Sequence, residues 1–176
     1  GEMSIPISQT TAYAFRDSEH AANLFALKEL GPIYTRLTNP TTDVLEQRFA
    51  ALEGGAAAIC TSSGQAASFF AIANVAEAGD NVLISDKLYG GSVTLLTYTM
   101  KRFGISAKVF KSDDASDLES LIDDKTKAIY FESLSNPQIA IPDVEKVVEI
   151  AKKHGVLTIC DNTVASAALF NPIKWG

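Results

Sequence analysis

The sequence predicts an α/β domain, a mostly parallel sheet covered by helices, preceded by an extended N-terminal arm. Three observations predict it. Beyond Gly55, short apolar runs alternate with amphipathic stretches, the mark of strands alternating with helices. Each apolar run is followed by a small polar or glycine-bearing turn. Residues 1–54 show no such alternation.

Residues 1–14 are polar and extended in character, with no period that would bury them. Residues 17–30 read as a helix capped by Asp17 or Ser18 and stopped by Gly31-Pro32. The loop Ile33-Tyr34-Thr35-Arg36-Leu37-Thr38-Asn39-Pro40-Thr41 follows. Val44, Leu45, Arg48, Phe49 and Leu52 then stand at helical spacing over 42–52, closed by Gly54-Gly55. An arm of 1–54 with little core of its own is expected to pack on something else, usually a second subunit. Over 55–176, strand-like runs at 56–60, 81–85, 105–110, 128–132 and 156–160 are separated by helical stretches near 66–78, 91–103, 116–123 and 143–154. The last helix ends in Lys152-Lys153-His154-Gly155, cations followed by glycine, as a helix C-terminus prefers.

Composition bounds the function. The chain has 176 residues, 47% hydrophobic and 20% charged, which is globular and excludes a disordered segment. This length suits one domain with a real core. A net charge of −6 without a basic stripe argues against nucleic acid as a partner. No apolar run could span a bilayer and no secretory signal is visible, so no membrane partner and a cytoplasmic location are expected. Cys60 and Cys160 end apolar runs and read as buried small hydrophobes; with His20 and His154 they make no metal-ligand pattern, and no metal is expected.

In parallel sheets flanked by helices, ligands sit outside the carboxyl ends of the strands. There the sequence places Thr61-Ser62-Ser63-Gly64-Gln65, a turn opening a helix and so an anion cradle. Tyr89 follows on the turn before Gly90-Gly91, then Glu132 and Asn136, and finally Asp161-Asn162-Thr163. Each has an ordinary alternative. Ser and Gly cap many helices, Tyr89 could be a surface aromatic, Asn136-Pro137 is a common turn pair, and Asp161 could cap a turn. Together they suit a planar phosphorylated heteroaromatic. The phosphate would lie on the helix N-terminus, the ring against Tyr89, and a ring nitrogen would be kept protonated by Asp161, a requirement of pyridoxal phosphate. The Gly-x-Gly-x-x-Gly turn of nicotinamide or flavin sites is absent.

The arm motif with Leu52-Glu53-Gly54-Gly55, then Ser63-Gly64-Gln65-Ala66-Ala67, Tyr89-Gly90-Gly91, Ser135-Asn136-Pro137 and Asp161-Asn162-Thr163, resembles the Cys/Met-metabolism pyridoxal-phosphate enzymes of fold type I, in order and over essentially the whole chain. Ile-Tyr-Thr-Arg before Asn-Pro-Thr-Thr-Asp-Val-Leu-Glu is most similar to the family's O-acetylhomoserine sulfhydrylase branch. The resemblance implies that Gly64 and Gln65 bind the cofactor phosphate and that Tyr34 and Arg36 reach the phosphate in a neighbouring subunit of a dimer or tetramer. It also implies that Tyr89 stacks on the ring and assists proton transfer, that Asp161 binds the ring nitrogen, and that Thr163 lies behind the ring. Asn136 would contact the ring hydroxyl or the substrate carboxylate, and Glu132 would shape the site.

The family's catalytic lysine lies in a Ser-x-Thr-Lys segment beyond Asp-Asn-Thr, and no lysine here stands in such a segment. The chain is therefore expected to be the arm and most of the cofactor domain of a longer enzyme, inactive alone. The implied activity is γ-replacement on O-acetylhomoserine by sulfide or a thiol to give homocysteine. Cystathionine γ-synthase, cystathionine γ-lyase and methionine γ-lyase are the alternatives within the family, and a non-catalytic phosphate-ligand module is the alternative outside it.

Overall fold

The computed structural model of the chain describes residues 3–176. The chain divides into two compact units, Gly1–Cys60 and Thr61–Gly176.

The first unit carries α1 (Ser18–Phe25) and α2 (Pro40–Glu53). Asp17 caps α1 by accepting from the His20 N–H at 2.7 Å. The helix stops before residue 30 because Leu27 takes a positive φ of 55° and the Lys28 N–H turns back to the Asn23 carbonyl. Asn39 caps α2 through the Thr41 N–H at 2.9 Å, and its amide donates to the Ser8 carbonyl at 2.9 Å, tying the extended segment to the helix start. Ala12 and Tyr34 form an antiparallel bridge that closes the loop. Leu24 is the one apolar side chain buried among this unit's described residues, and no residue of α2 is buried.

The expected strand over 56–60 does not form. These residues have no ladder partner, and Ile59 and Cys60 are exposed. Three of the five are alanine, which is depleted in strands, and none of the five has a ladder partner, so the apolar run alone does not make a strand. Cys60 is thus not a buried hydrophobe, whereas Cys160 packs partly against the core.

The second unit is built on β1 (Asn81–Ser85), β2 (Ser106–Phe110), β3 (Thr126–Glu132) and β4 (Leu157–Asp161), all parallel, in the order β2-β1-β3-β4. Around them lie α3 (Gly64–Ala73), α4 (Gly90–Thr94), α5 (Leu118–Leu121), α6 (Val144–His154) and α7 (Ser166–Leu169). Alternation along the strands sorts the core into two layers. Leu83, Phe110, Ile129 and Phe131 face Leu118 of α5 and Val144, Val147 and Ala151 of α6. Val82, Ile84, Ala128 and Tyr130 face Ile72 of α3 with Leu88, Leu96 and Met100.

The helix expected over 91–103 is continuous in path but not in type. After Thr94 it becomes a π-turn over Leu95–Thr99 and a 3-10 turn over Met100–Phe103. The Thr97 hydroxyl donates to the Val93 carbonyl at 2.7 Å, competing with the backbone there. α6 begins at Asp143, which accepts from the Lys146 N–H, and ends at Gly155 with φ 65°, a conformation glycine adopts without strain.

Candidate active site

The strand period that sorts the core also builds the site. Tyr130 and Ile159 are register partners, as are Glu132 and Asp161 two residues on. Tyr130 and Ile159 belong to the layer under α3, so Glu132 and Asp161 emerge on that face where the strands end. A cavity of about 430 Å³ opens there. Six of the eight residues expected to bind the cofactor line it: Gly64, Gln65, Tyr89, Asn136, Asp161 and Thr163, joined by Ser63 and Glu132. Tyr34 and Arg36 lie in the first unit, where the Arg36 guanidinium sits 5.5 Å from the centre of the Tyr34 ring.

At one wall is the start of α3. Ser63 is its N-cap, its hydroxyl accepting from the Ala66 N–H at 3.1 Å. The N–H groups of Gly64 and Gln65, in the first turn, have no acceptor within the helix and carry the positive end of its dipole. A Cβ at Gly64 would meet no protein atom within 4 Å, so the chain's own packing does not demand glycine there. At Gly91 it does: a Cβ would lie 2.6 Å from Cε1 of Tyr89, so only glycine allows this half-exposed ring to lie against the start of α4.

Glu132 holds the two loops on either side of the cavity. It is buried, with Oε1 accepting from the Tyr89 N–H at 2.7 Å and Oε2 from the Asn136 N–H at 3.1 Å. Burial pushes its carboxyl above the usual range; the two N–H groups oppose this and the Asp161 charge adds to it. Asn136, whose bond to Pro137 is cis, is thereby fixed through its backbone while its side chain is left exposed at the cavity.

Asp161 is held at both oxygens. Oδ1 accepts from the Thr163 N–H at 3.1 Å and from the Thr163 hydroxyl; Oδ2 accepts from the Tyr130 hydroxyl at 3.2 Å. Behind it Ser133 donates to the Asn162 amide oxygen at 2.6 Å, and the Asn162 amide donates to the Phe170 carbonyl, anchoring the turn after β4. Tyr130 and its partner Ser68 on α3, 3.0 Å away, escaped the sequence reading. The available signal was weak: one hydroxyl in the apolar run 128–131, in phase with Glu132.

The donor set fits a phosphorylated pyridine: amide groups at a helix N-terminus for the anion, an aromatic face, and a fixed carboxylate for a protonated ring nitrogen. The comparisons point the same way. The chain is similar to the sulfhydrylase FUB7 of Fusarium oxysporum (51% identity over 98% of this chain and 40% of the relative) and to the O-acetyl-L-homoserine sulfhydrylase of Leptospira meyeri (48%, over 98% and 39%). Among solved structures it resembles one described as an O-acetylhomoserine (thiol)-lyase from Campylobacter jejuni, which carries N'-pyridoxyl-lysine-5'-monophosphate. That match has a TM-score of 0.97 at 56% identity and covers 99% of this chain and 43% of the other. The chain thus spans about two-fifths of the length of the curated relatives it matches. The family model for Cys/Met metabolism PLP-dependent enzymes matches residues 1–176, and with the sheet, the cradle and the carboxylate in place, the chain belongs to that family.

Proposed function

We propose that the protein performs γ-replacement on O-acetylhomoserine, in which sulfide takes the place of the acetoxy group, released as acetate, to give homocysteine; another thiol in place of sulfide would give the corresponding thioether. The observation that carries this reading is the meeting, around one cavity, of the α3 N-terminus and a carboxylate fixed at both oxygens. The sulfhydrylase names of the relatives and the Ile-Tyr-Thr-Arg arm sequence favour this member of the family over its lyases and synthases.

Bound pyridoxal phosphate supplies the electron sink for carbanion chemistry on the amino-acid substrate. The chain's own residues do the rest. The N–H groups of Gly64 and Gln65 hold the phosphate, and Asp161 keeps the ring nitrogen protonated. Tyr89 and Thr163 would hold the ring, and the Tyr89 hydroxyl would assist proton transfer at the substrate. Asn136 meets the ring hydroxyl or the substrate carboxylate. Tyr34 and Arg36 serve the phosphate of a neighbouring subunit in a dimer or tetramer, which gives an arm with one buried apolar residue a surface to pack on. No lysine is among the cavity-lining residues, so in this reading the lysine that takes the substrate's α-proton belongs to protein outside residues 1–176.

The test is an assay of the full-length protein loaded with pyridoxal phosphate, using O-acetylhomoserine with sulfide, with cysteine, and with no thiol. Homocysteine formed fastest with sulfide supports the proposal. A thioether formed preferentially with cysteine makes it a γ-synthase, and a 2-oxo acid without thiol makes it a lyase. Absence of turnover in all three leaves a phosphate-ligand module.

A further inference from the structure

The cofactor reading assigns roles to groups that face the cavity and none to the buried phenol behind them. Tyr130 is 1% exposed and its ring belongs to the core layer under α3. Its hydroxyl lies between Ser68 Oγ at 3.0 Å and Asp161 Oδ2 at 3.2 Å. Burial, with the Asp161 charge beside it, pushes the phenol well above its ordinary value, so it keeps its proton. A phenol has one proton to give and a carboxylate only accepts. With that proton on Asp161, the second bond must run from the Ser68 hydroxyl to the Tyr130 oxygen. The result is a directed chain, Ser68 to Tyr130 to Asp161, linking three elements.

Its placement gives it a use. Ser68 stands one turn into the helix whose first turn holds Gly64 and Gln65, while Asp161 ends an edge strand whose only ladder neighbour among the described strands is β3. Thr163, the other donor to Asp161, is its sequence neighbour and moves with the same turn. Tyr130 is therefore the one donor to this carboxylate that comes from a different, fully paired strand.

We propose that Tyr130 is a positioning residue: anchored by Ser68 on the phosphate-binding helix, it fixes Asp161 on the cofactor's ring nitrogen and sets the distance between the two ends of the cofactor site. This rests on the reading of the cavity as a pyridoxal-phosphate site.

The test is binding rather than turnover. The apo form of the full-length protein and its Tyr130→Phe, Ser68→Ala and Asp161→Asn variants are titrated with two compounds: pyridoxal phosphate, and the analogue whose ring nitrogen is replaced by carbon. The proposal expects Tyr130→Phe to weaken pyridoxal phosphate about tenfold, the scale of one hydrogen bond to a charged group, and to leave the carbon analogue unchanged. Ser68→Ala should move in the same direction by less. A role confined to packing would weaken both compounds equally or neither, and either result overturns the proposal. Should Tyr130→Phe not fold, as judged by thermal unfolding of the apo protein, Ser68→Ala carries the same comparison. If the parent protein binds both compounds alike and Asp161→Asn changes neither affinity, the cofactor reading itself falls. If Asp161→Asn abolishes the preference while Tyr130→Phe keeps it, only the positioning role falls.

Discussion

Glu132 uses both oxygens to accept backbone N–H groups of different loops, so it ties those loops together without an ion pair. Glu132→Gln keeps the shape but turns an NH₂ group toward one of those N–H donors. The expected loss is about 1–3 kcal/mol of unfolding free energy, the range for a buried polar group left unsatisfied, measured by urea denaturation. The pH dependence has a definite sign. The folded-state value is raised above the ordinary 4.5, so above 4.5 the folded protein binds this proton more readily than the unfolded chain. The Glu132 contribution to stability is therefore greatest below 4.5 and declines as pH rises through the raised value, a slope that Glu132→Gln should lack. Gly91 acts by what it leaves out. Gly91→Ala would press on Cε1 of Tyr89 from 2.6 Å and displace the ring. Weaker pyridoxal-phosphate binding with little change in global stability is the expected outcome, read by equilibrium dialysis and thermal unfolding.

At the scale of elements, α5 and α6 are clasped at the surface by Glu119, which accepts from Lys153 Nζ at 2.6 Å and stands 2.8 Å from His154 Nε2. The Lys153 hydrogen bond, then that of His154, holds the Glu119 carboxyl down at about 2, against an ordinary 4.5. A lowered folded value means that this stabilisation is complete above 4.5 and lost as pH falls through about 2. Wild type and Glu119→Gln should thus differ in urea midpoint at pH 6 and converge near pH 2, with the difference shrinking in high salt because the pair is exposed. The helices also show what local sequence could reveal. The starts of α1, α2, α3 and α6 were readable to within about two residues, and Asp17 was readable as a cap; the caps Asn39, Ser63 and Asp143 emerge only from the structure. Changes of helix type were not: the π-turn after Thr94 depends on a hydroxyl reaching back to a carbonyl, and no periodicity records it. Four strands were visible as apolar runs. The fifth failed because a ladder needs a partner, which the run 56–60 cannot state. The cavity lining was legible at the turn residues that follow the strands and opaque at Tyr130, whose contact with Asp161 depends on which strand lies beside it.

For the whole molecule, the arm proposal makes a prediction that no single subunit can satisfy. If Tyr34 and Arg36 complete a neighbour's site, full-length Arg36→Ala and Asp161→Asn proteins are each poorly active. Unfolded together and refolded as a mixture, they should recover about a quarter of native activity, since half the pairs are mixed and each mixed pair has one intact site. Recovery no greater than that of either protein refolded alone would place the arm's residues in their own subunit's site.

Because all four strands run the same way, the two rims of the sheet carry different work. The cavity lies at the rim where the strands finish. At the rim where they begin, Asn81, Asp123 and Thr126 are hydrogen-bonded to one another, Lys108 pairs with Asp123 at 2.7 Å, and Lys127 reaches Asp80 at 3.7 Å. This second rim is open to redesign. An engineer seeking a heat-tolerant version would begin there, at the opposite ends of the strands from the cavity, by shortening turns and extending ion-pair networks.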